Sequence, residues 1–136
     1  MAIKKSISKL KKELDKWFSL YIRLRDATLE GVAQCFTCGK TDHYKKLQCG
    51  HFQSRRFMGT RYDERNQIQC VKCNMFEQGE QYKFGLALDS KYGLGTAEEM
   101  QFKARQIQKF SRVDYEEKIS YYKSAVEKLK KLKGIE

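Results

Sequence analysis

Five cysteines, two histidines and a short set of amide, acidic and guanidinium side chains carry the chemistry available to this 136-residue chain. Cys35-Phe-Thr-Cys38 and Cys70-Val-Lys-Cys73 are two C-x-x-C knuckles. Thiolates separated by two residues can grip one metal ion from a tight turn, and two such turns complete a tetrahedral four-sulfur site. That donor set suits Zn²⁺, and a closed four-thiolate cage has no open position for water, so the ion is expected to be structural. Cys49 is left over and reads as a small buried hydrophobe beside the site. The odd cysteine count, without an export signal, favours metal ligation in a reducing compartment over disulfides.

The 31 residues between the knuckles exceed the usual zinc-ribbon gap, so something is inserted there. The insert holds Gly50-His51-Phe52, a basic stretch, and Asn66. A neutral imidazole can serve as a general base, which makes His51 the candidate. Asn66 can hold a loop or orient His51. Asn74 follows the last cysteine, and its amide oxygen can ligate a hard cation. Glu77 shares its face if a helix starts there, so the two together offer oxygen ligands for Mg²⁺ or Mn²⁺. Arg55, Arg56, Arg61 and Arg65, with Lys45 and Lys46, are candidates for DNA phosphates. Each residue has a plainer alternative: a satisfied structural histidine, an asparagine that caps the next helix, a solvated acidic or basic face. His43, next to Asp42 in a turn-like segment, reads as surface.

Elements must position these groups. Residues 3–28 read as one helix with apolar positions at Ile3, Ile7, Leu10, Leu14, Trp17, Tyr21 and Leu24, a heptad seam. At 1.5 Å per residue it would span about 39 Å. A second stripe, Tyr115, Ile119, Tyr122, Val126 and Leu129, predicts a C-terminal helix with Asp114 and Glu117 as its capping box. The first seam therefore has two possible partners: a second copy, giving a homodimer, or the chain's own C-terminal stripe. Thr96 and Glu99 form a further capping box that opens a helix through about Phe110. Residues 80–91 fit both a strand and a helix, and helix is expected. The stretch KKLQCGHF reads as a short strand pair. The chain reads as one domain over 1–136: a helical arm (1–34), a zinc core (35–80) and a helical C-terminal part (81–136).

Charge points to the partner. There are 28 Lys and Arg against 17 Asp and Glu, a formal net charge of +11. Segment 39–72 has eight basic residues against three acids. Such an excess predicts an anionic partner, most simply nucleic acid or a membrane surface. Hydrophobic residues at 40%, including 8 Phe and 8 Tyr, supply enough apolar mass for a core and argue against disorder. No apolar run reaches membrane-spanning length, and the N-terminus lacks the apolar region of a signal peptide.

The order CFTCG, CGHF, ERN, CVKCN resembles the HNH, or ββα-metal, endonucleases in their zinc-braced form. The pattern is most similar to the lambda NinG (Rap) recombination family. The likeness lies in the helix running into the first knuckle (Phe18 to Asp26), in Gly50-His51-Phe52, in Arg61-Tyr62-Asp63-Glu64-Arg65-Asn66, and in the Cys70 to Asn74 knuckle. It continues loosely into the C-terminal helix. CNMFEQGEQYKF also resembles phage endonuclease VII, a Holliday-junction resolvase, whose Asn and Glu at these positions belong to its catalytic centre.

The resemblance implies an α+β fold: a ββα-metal, treble-clef-like core flanked by long terminal helices. It implies a metal-dependent endonuclease that cleaves branched recombination intermediates such as Holliday junctions and D-loops. By position, His51 is then the general base, Asn66 the middle-motif asparagine, Asn74 a metal ligand and Glu77 a catalytic carboxylate. Gly50 departs from the Asp or His that most HNH enzymes carry before the base, which makes Glu77 the best carboxylate candidate. A phage or prophage protein in the cytoplasm of a bacterial host, working as a dimer on DNA beside other recombination proteins, is the implied setting. The alternatives are a non-catalytic zinc protein that binds DNA as a recombination accessory, an HNH enzyme of nicking or nonspecific habit, and an RNA-binding zinc protein.

Overall fold

A computed structural model describes residues 4–136. Ile3, the first position of the expected seam, lies outside the described residues. Helix α1 (Ile7–Arg25) starts at Ser6, whose hydroxyl accepts a hydrogen bond from the Lys9 N–H at 3.2 Å. Two two-stranded antiparallel sheets follow. In the first, β1 (Val32–Gln34) pairs with β2 (Thr41–His43), and the hairpin carries Cys35 and Cys38 in its loop. In the second, β3 (Gln48–Gly50) pairs with β4 (Gln67–Gln69), opposing Gln48 to Gln69, Cys49 to Ile68 and Gly50 to Gln67. The strand around Cys49 therefore finds its partner at the far end of the inter-knuckle insert, not within KKLQCGHF. Between β3 and β4 the chain forms one further element, α2 (Met58–Arg61). The second knuckle runs into a short π-helical turn (Lys72–Phe76), then α3 (Gln81–Tyr92), α4 (Thr96–Ala104) and α5 (Arg112–Lys133).

The expected seam is used inside the chain. Leu10, Leu14, Phe18 and Ile22 of α1 and Tyr115, Ile119, Tyr122 and Val126 of α5 are all buried in one core cluster. Phe18 meets Tyr122 edge-on with ring centres 5.2 Å apart. The buried line on α1 is wider than the heptad reading. Trp17 and Tyr21 flank it only partly buried, and Ile7 is exposed. The reason is that α1 has two neighbours: α5 covers one side, while β3 and β4 pack on the other. The homodimer reading loses the surface it rested on.

Two helix starts differ from expectation. Helix α5 is capped by Ser111, with reciprocal bonds to Asp114, in place of an Asp114–Glu117 box. Helix α4 is preceded by Gly95 in the left-handed region, and Thr96 donates to the Gly93 carbonyl at 2.7 Å instead of capping. This helix ends at Ala104, short of Phe110. Residues 81–92 are helical as expected, and Phe84 and Leu88 of that helix join Phe52 and Met100 in a second, smaller core.

Candidate functional site: a four-sulfur cage beside a histidine cleft

The four knuckle sulfurs converge. The Sγ atoms of Cys35, Cys38, Cys70 and Cys73 all lie within 4.8 Å of one another, and Cys38 and Cys70 are 3.7 Å apart. A tetrahedral site with Zn–S bonds of 2.3 Å has sulfur–sulfur edges of about 3.8 Å, so the set fits one structural Zn²⁺. The turns are tight. The Gly39 N–H closes the first knuckle onto the Cys35 carbonyl at 3.0 Å with φ at +81°, a conformation that favours glycine. The Phe36 N–H donates to the Ile68 carbonyl at 2.9 Å, tying the first knuckle to the strand that leads into the second. The fifth thiol, Cys49, packs on the larger core, and burial pushes it up to about 12. It is half-buried, not fully buried as expected, and stands outside the four-sulfur cage.

A cleft opens beside this cage. Asp15, Gln48, His51, Arg55, Asn74 and Gln78 contribute to its walls. His51 is held by a 3.0 Å hydrogen bond between Nε2 and the Arg61 carbonyl. A carbonyl can only accept, so Nε2 carries the proton and Nδ1 presents the lone pair. Nδ1 has no protein partner and keeps solvent access. Burial lowers the His51 pKa to about 4, and the charges of Arg55 and Arg61 push in the same direction. The imidazole is neutral at pH 7. Asn74 donates from Nδ2 to Gln48 Oε1 at 2.8 Å, which turns its own amide oxygen away from protein partners.

The Arg61–Asn66 segment is the frame of this cleft. Asn66 is 0% exposed; its Oδ1 accepts from the Phe52 N–H at 3.1 Å, and its Nδ2 donates to the Thr60 carbonyl at 2.9 Å. It therefore fixes the residue after His51 to the loop that supplies the carbonyl partner of His51. Arg61 donates two bonds to Asp15, at 3.0 and 2.6 Å, and Tyr62 donates a third at 2.7 Å. Burial alone would raise the Asp15 carboxyl, but these bonds outweigh it and hold the carboxyl below its ordinary value. Asp63 pairs with Arg65 and Lys103, which hold it near 2 against the effect of burial. Glu64 accepts from Tyr21 of α1 and Tyr122 of α5. Arg25 donates to the carbonyls of Glu64 and Asn66.

The expected DNA-contact set thus divides. Arg61 and Arg65 make ion pairs within the chain, Arg61 with Asp15 and Arg65 with Asp63 and Glu99. Arg55 is exposed and lines the cleft; Arg56 is exposed, its guanidinium 4.6 Å over the Phe57 ring. Lys45 and Lys46 sit exposed on a short 3₁₀ turn (Tyr44–Lys46) outside the cleft walls. His43, expected at the surface in a turn-like segment, ends β2 half-buried, and its Nδ1 accepts from the Lys45 N–H at 3.2 Å.

Glu77 is exposed and does not line the cleft. The expected face-sharing with Asn74 assumed α-helical spacing. The turn after Cys73 is instead π-helical: the Glu77 N–H reaches back five residues to the Lys72 carbonyl at 2.8 Å. That wider turn carries Glu77 off the face of Asn74. The chain then reverses through Gln78, Gly79 and Glu80, all with positive φ, before α3 begins. At Gly50 a Cβ would meet Gln69 Oε1 at 2.0 Å. Gln69 is wholly buried; its Nε2 donates to Thr37 and to the Gly79 carbonyl, while Oε1 has no partner. A carboxylate at position 50 therefore has no room.

Two cleft residues escape a reading by motif. Asp15 is one of only two acids in the lysine-rich α1, and an unpaired arginine such as Arg61 was the available hint. Gln48, which orients Asn74, carries no sequence signal.

Among the described residues no helix is long and apolar enough to cross a membrane. A family model described as Bacteriophage Lambda NinG protein matches residues 1–133. No curated protein and no solved structure matches the chain.

Proposed function

The chain belongs to the bacteriophage lambda NinG family, a phage recombination family, and from that membership we propose that it is a metal-dependent endonuclease acting on branched DNA. One observation carries the reading. His51, with a neutral ring and an open Nδ1, and Asn74, with an open amide oxygen, line one cleft beside the free guanidinium of Arg55. These are a proton acceptor, an oxygen ligand and a phosphate counter-charge, the parts that phosphodiester hydrolysis needs.

In this reading the scissile phosphate enters the cleft against Arg55. His51 Nδ1 takes the proton of a water whose oxygen attacks phosphorus. The Nε2–H bond to the Arg61 carbonyl holds the tautomer and remains in place in the imidazolium. The P–O3′ bond breaks, the departing O3′ takes a proton from solvent water, and the products carry 5′-phosphate and 3′-hydroxyl ends. Asn74 Oδ1, together with substrate phosphate oxygens and water, would hold Mg²⁺ or Mn²⁺. Such an ion supplies Lewis-acid stabilisation of the developing charge and the leaving oxygen. Asn66 and Asp15 act as positioning residues. Cys70 and Cys73, with Cys35 and Cys38, would hold a structural Zn²⁺ that braces the turn presenting Asn74. Holliday junctions and D-loops are the proposed substrates. Two symmetric nicks in a junction require two clefts, hence two copies meeting through a surface other than α1.

A second reading, a non-catalytic zinc protein that binds recombination DNA, is favoured by one feature. The cleft has no uncommitted carboxylate, since Asp15 is neutralised by Arg61 and Tyr62 and Glu77 lies outside. A cleavage assay on a synthetic four-way junction with Mg²⁺ or Mn²⁺ decides between them. Paired nicks that vanish in His51→Ala support the nuclease. Tight junction binding without cleavage supports the accessory protein. Equal cleavage of junction, fork and linear duplex would replace the branched substrate with a nonspecific one.

A further inference from the structure

The cleft continues past His51. Phe52 and Gln81 line it and also line a second recess, with Tyr82, Gly85 and Leu86 of α3 and Gln101 of α4 around it. Two features of this recess are unexpected for a solvent-facing helix surface. Tyr82 is 80% exposed and Leu86 55%, while Phe84 and Leu88 of the same helix already supply its core contacts. Gly85 sits mid-helix, where glycine is disfavoured. A Cβ there would stand 3.4 Å from the Phe52 ring and 3.5 Å from Ala97 Cβ, so the glycine keeps the floor of the recess clear. The one acid at the rim, Asp89, accepts the Ala97 N–H at 2.9 Å, which points that oxygen toward α4.

We infer that this recess is a nucleobase subsite, which takes an unpaired base from the strand whose phosphate occupies the adjoining cleft. The inference rests on the DNA-cleaving reading for the occupant of that cleft. A nucleotide is a charged phosphate joined to a neutral aromatic plane, and the surface repeats that division. Arg55 stands at the charged end and Tyr82 with Leu86 at the uncharged end. The ring of Tyr82 offers a stacking face, and the amides of Gln81 and Gln101 offer donors and acceptors to a base edge. In continuous duplex the bases are paired and stacked and cannot reach such a site. At a branch or in a single strand they can. The recess thereby gives the protein a means of preferring branched over linear DNA.

The test is binding by the zinc-loaded full chain without added Mg²⁺ or Mn²⁺, so that no cleavage enters. Fluorescence anisotropy compares a labelled oligothymidine with an abasic strand of equal length at one fixed salt concentration. The wild type is expected to bind the base-bearing strand more tightly. Tyr82→Ala should weaken that strand about fivefold to a hundredfold and leave the abasic strand unchanged. Tyr82→Phe should keep the preference, and Gly85→Leu, which fills the recess, should lose it. Circular dichroism melts check that each variant is folded. Equal wild-type affinity for the two strands, a Tyr82→Ala loss shared by both or absent from both, or no binding to either overturns the subsite. A Tyr82→Ala loss absent from both strands leaves the recess as a face for an apolar protein partner. The junction cleavage assay is separate, so either result can fail without the other.

Discussion

The Nε2 atom of His51 lies 3.0 Å from the main-chain oxygen of Arg61, and Asn66 donates to the carbonyl one residue earlier. The imidazole is thus oriented by backbone, and that backbone is pinned by a side chain with no solvent exposure. A carbonyl partner fixes the tautomer without adding charge, which leaves Nδ1 as the basic atom.

His51→Ala should therefore reduce junction cleavage about 100- to 10,000-fold, the usual contribution of a general base. Zinc content and DNA affinity should stay at wild-type level. Single-turnover cleavage beside a binding titration reads both, and undiminished cleavage removes the histidine from the mechanism.

The same burial makes stability depend on pH. The His51 pKa falls from 6.5 to about 4 in the folded chain. Between those values the unfolded chain binds a proton that the folded chain refuses, so stability rises with pH across this window. Denaturant midpoints for wild type and His51→Gln at pH 4.5 and 7 should differ, with the wild type losing more on acidification. Parallel pH profiles would show that the ring is not desolvated.

Asn66→Ala should cost about 2–4 kcal/mol, because it strands the Phe52 N–H and the Thr60 carbonyl without partners. Urea melts measure the loss. Even where the variant is mostly folded, cleavage should fall further than that loss predicts, since the loop that holds His51 is released.

Arg55→Ala and Arg61→Ala should separate binding from stability. Losing one phosphate contact at Arg55 should lower the slope of log K against log salt by about 0.9, with little change in melting. Arg61→Ala leaves Asp15 without its ion pair and should instead destabilise the fold by about 1.5–3 kcal/mol. A salt slope reduced only by Arg61→Ala would reverse the assignment.

One zinc per chain is expected by elemental analysis. Cys70→Ser should lose it along with cooperative unfolding, since structural zinc contributes about 10–16 kcal/mol in small zinc domains. Cys49→Ser should keep it.

Much of this was legible in residue types. The knuckles read as a cage because metal geometry fixes both spacing and element type. The terminal stripes read as helices because apolar periodicity survives any partner. What failed depended on tertiary pairing. Arg61 looks like a phosphate ligand until α1 brings Asp15 to it, and Arg65 until it pairs with its neighbour Asp63 and with Glu99 of α4. Glu77 shares a face with Asn74 only at α-helical spacing, and no local composition announces the π turn. The choice between a second copy and the chain's own C-terminal stripe as partner for α1 was undecidable from one seam, since both satisfy the same apolar face.

Gly50 and Gln69 form a steric lock between two strands, and the lock has a consequence for anyone who would redesign the protein. A single exchange to aspartate at position 50 inserts atoms where the glutamine oxygen already sits, so it should misfold before it can bind an ion. Shortening Gln69 first opens the space. The two exchanges should therefore be strongly non-additive, each harmful alone and tolerated together.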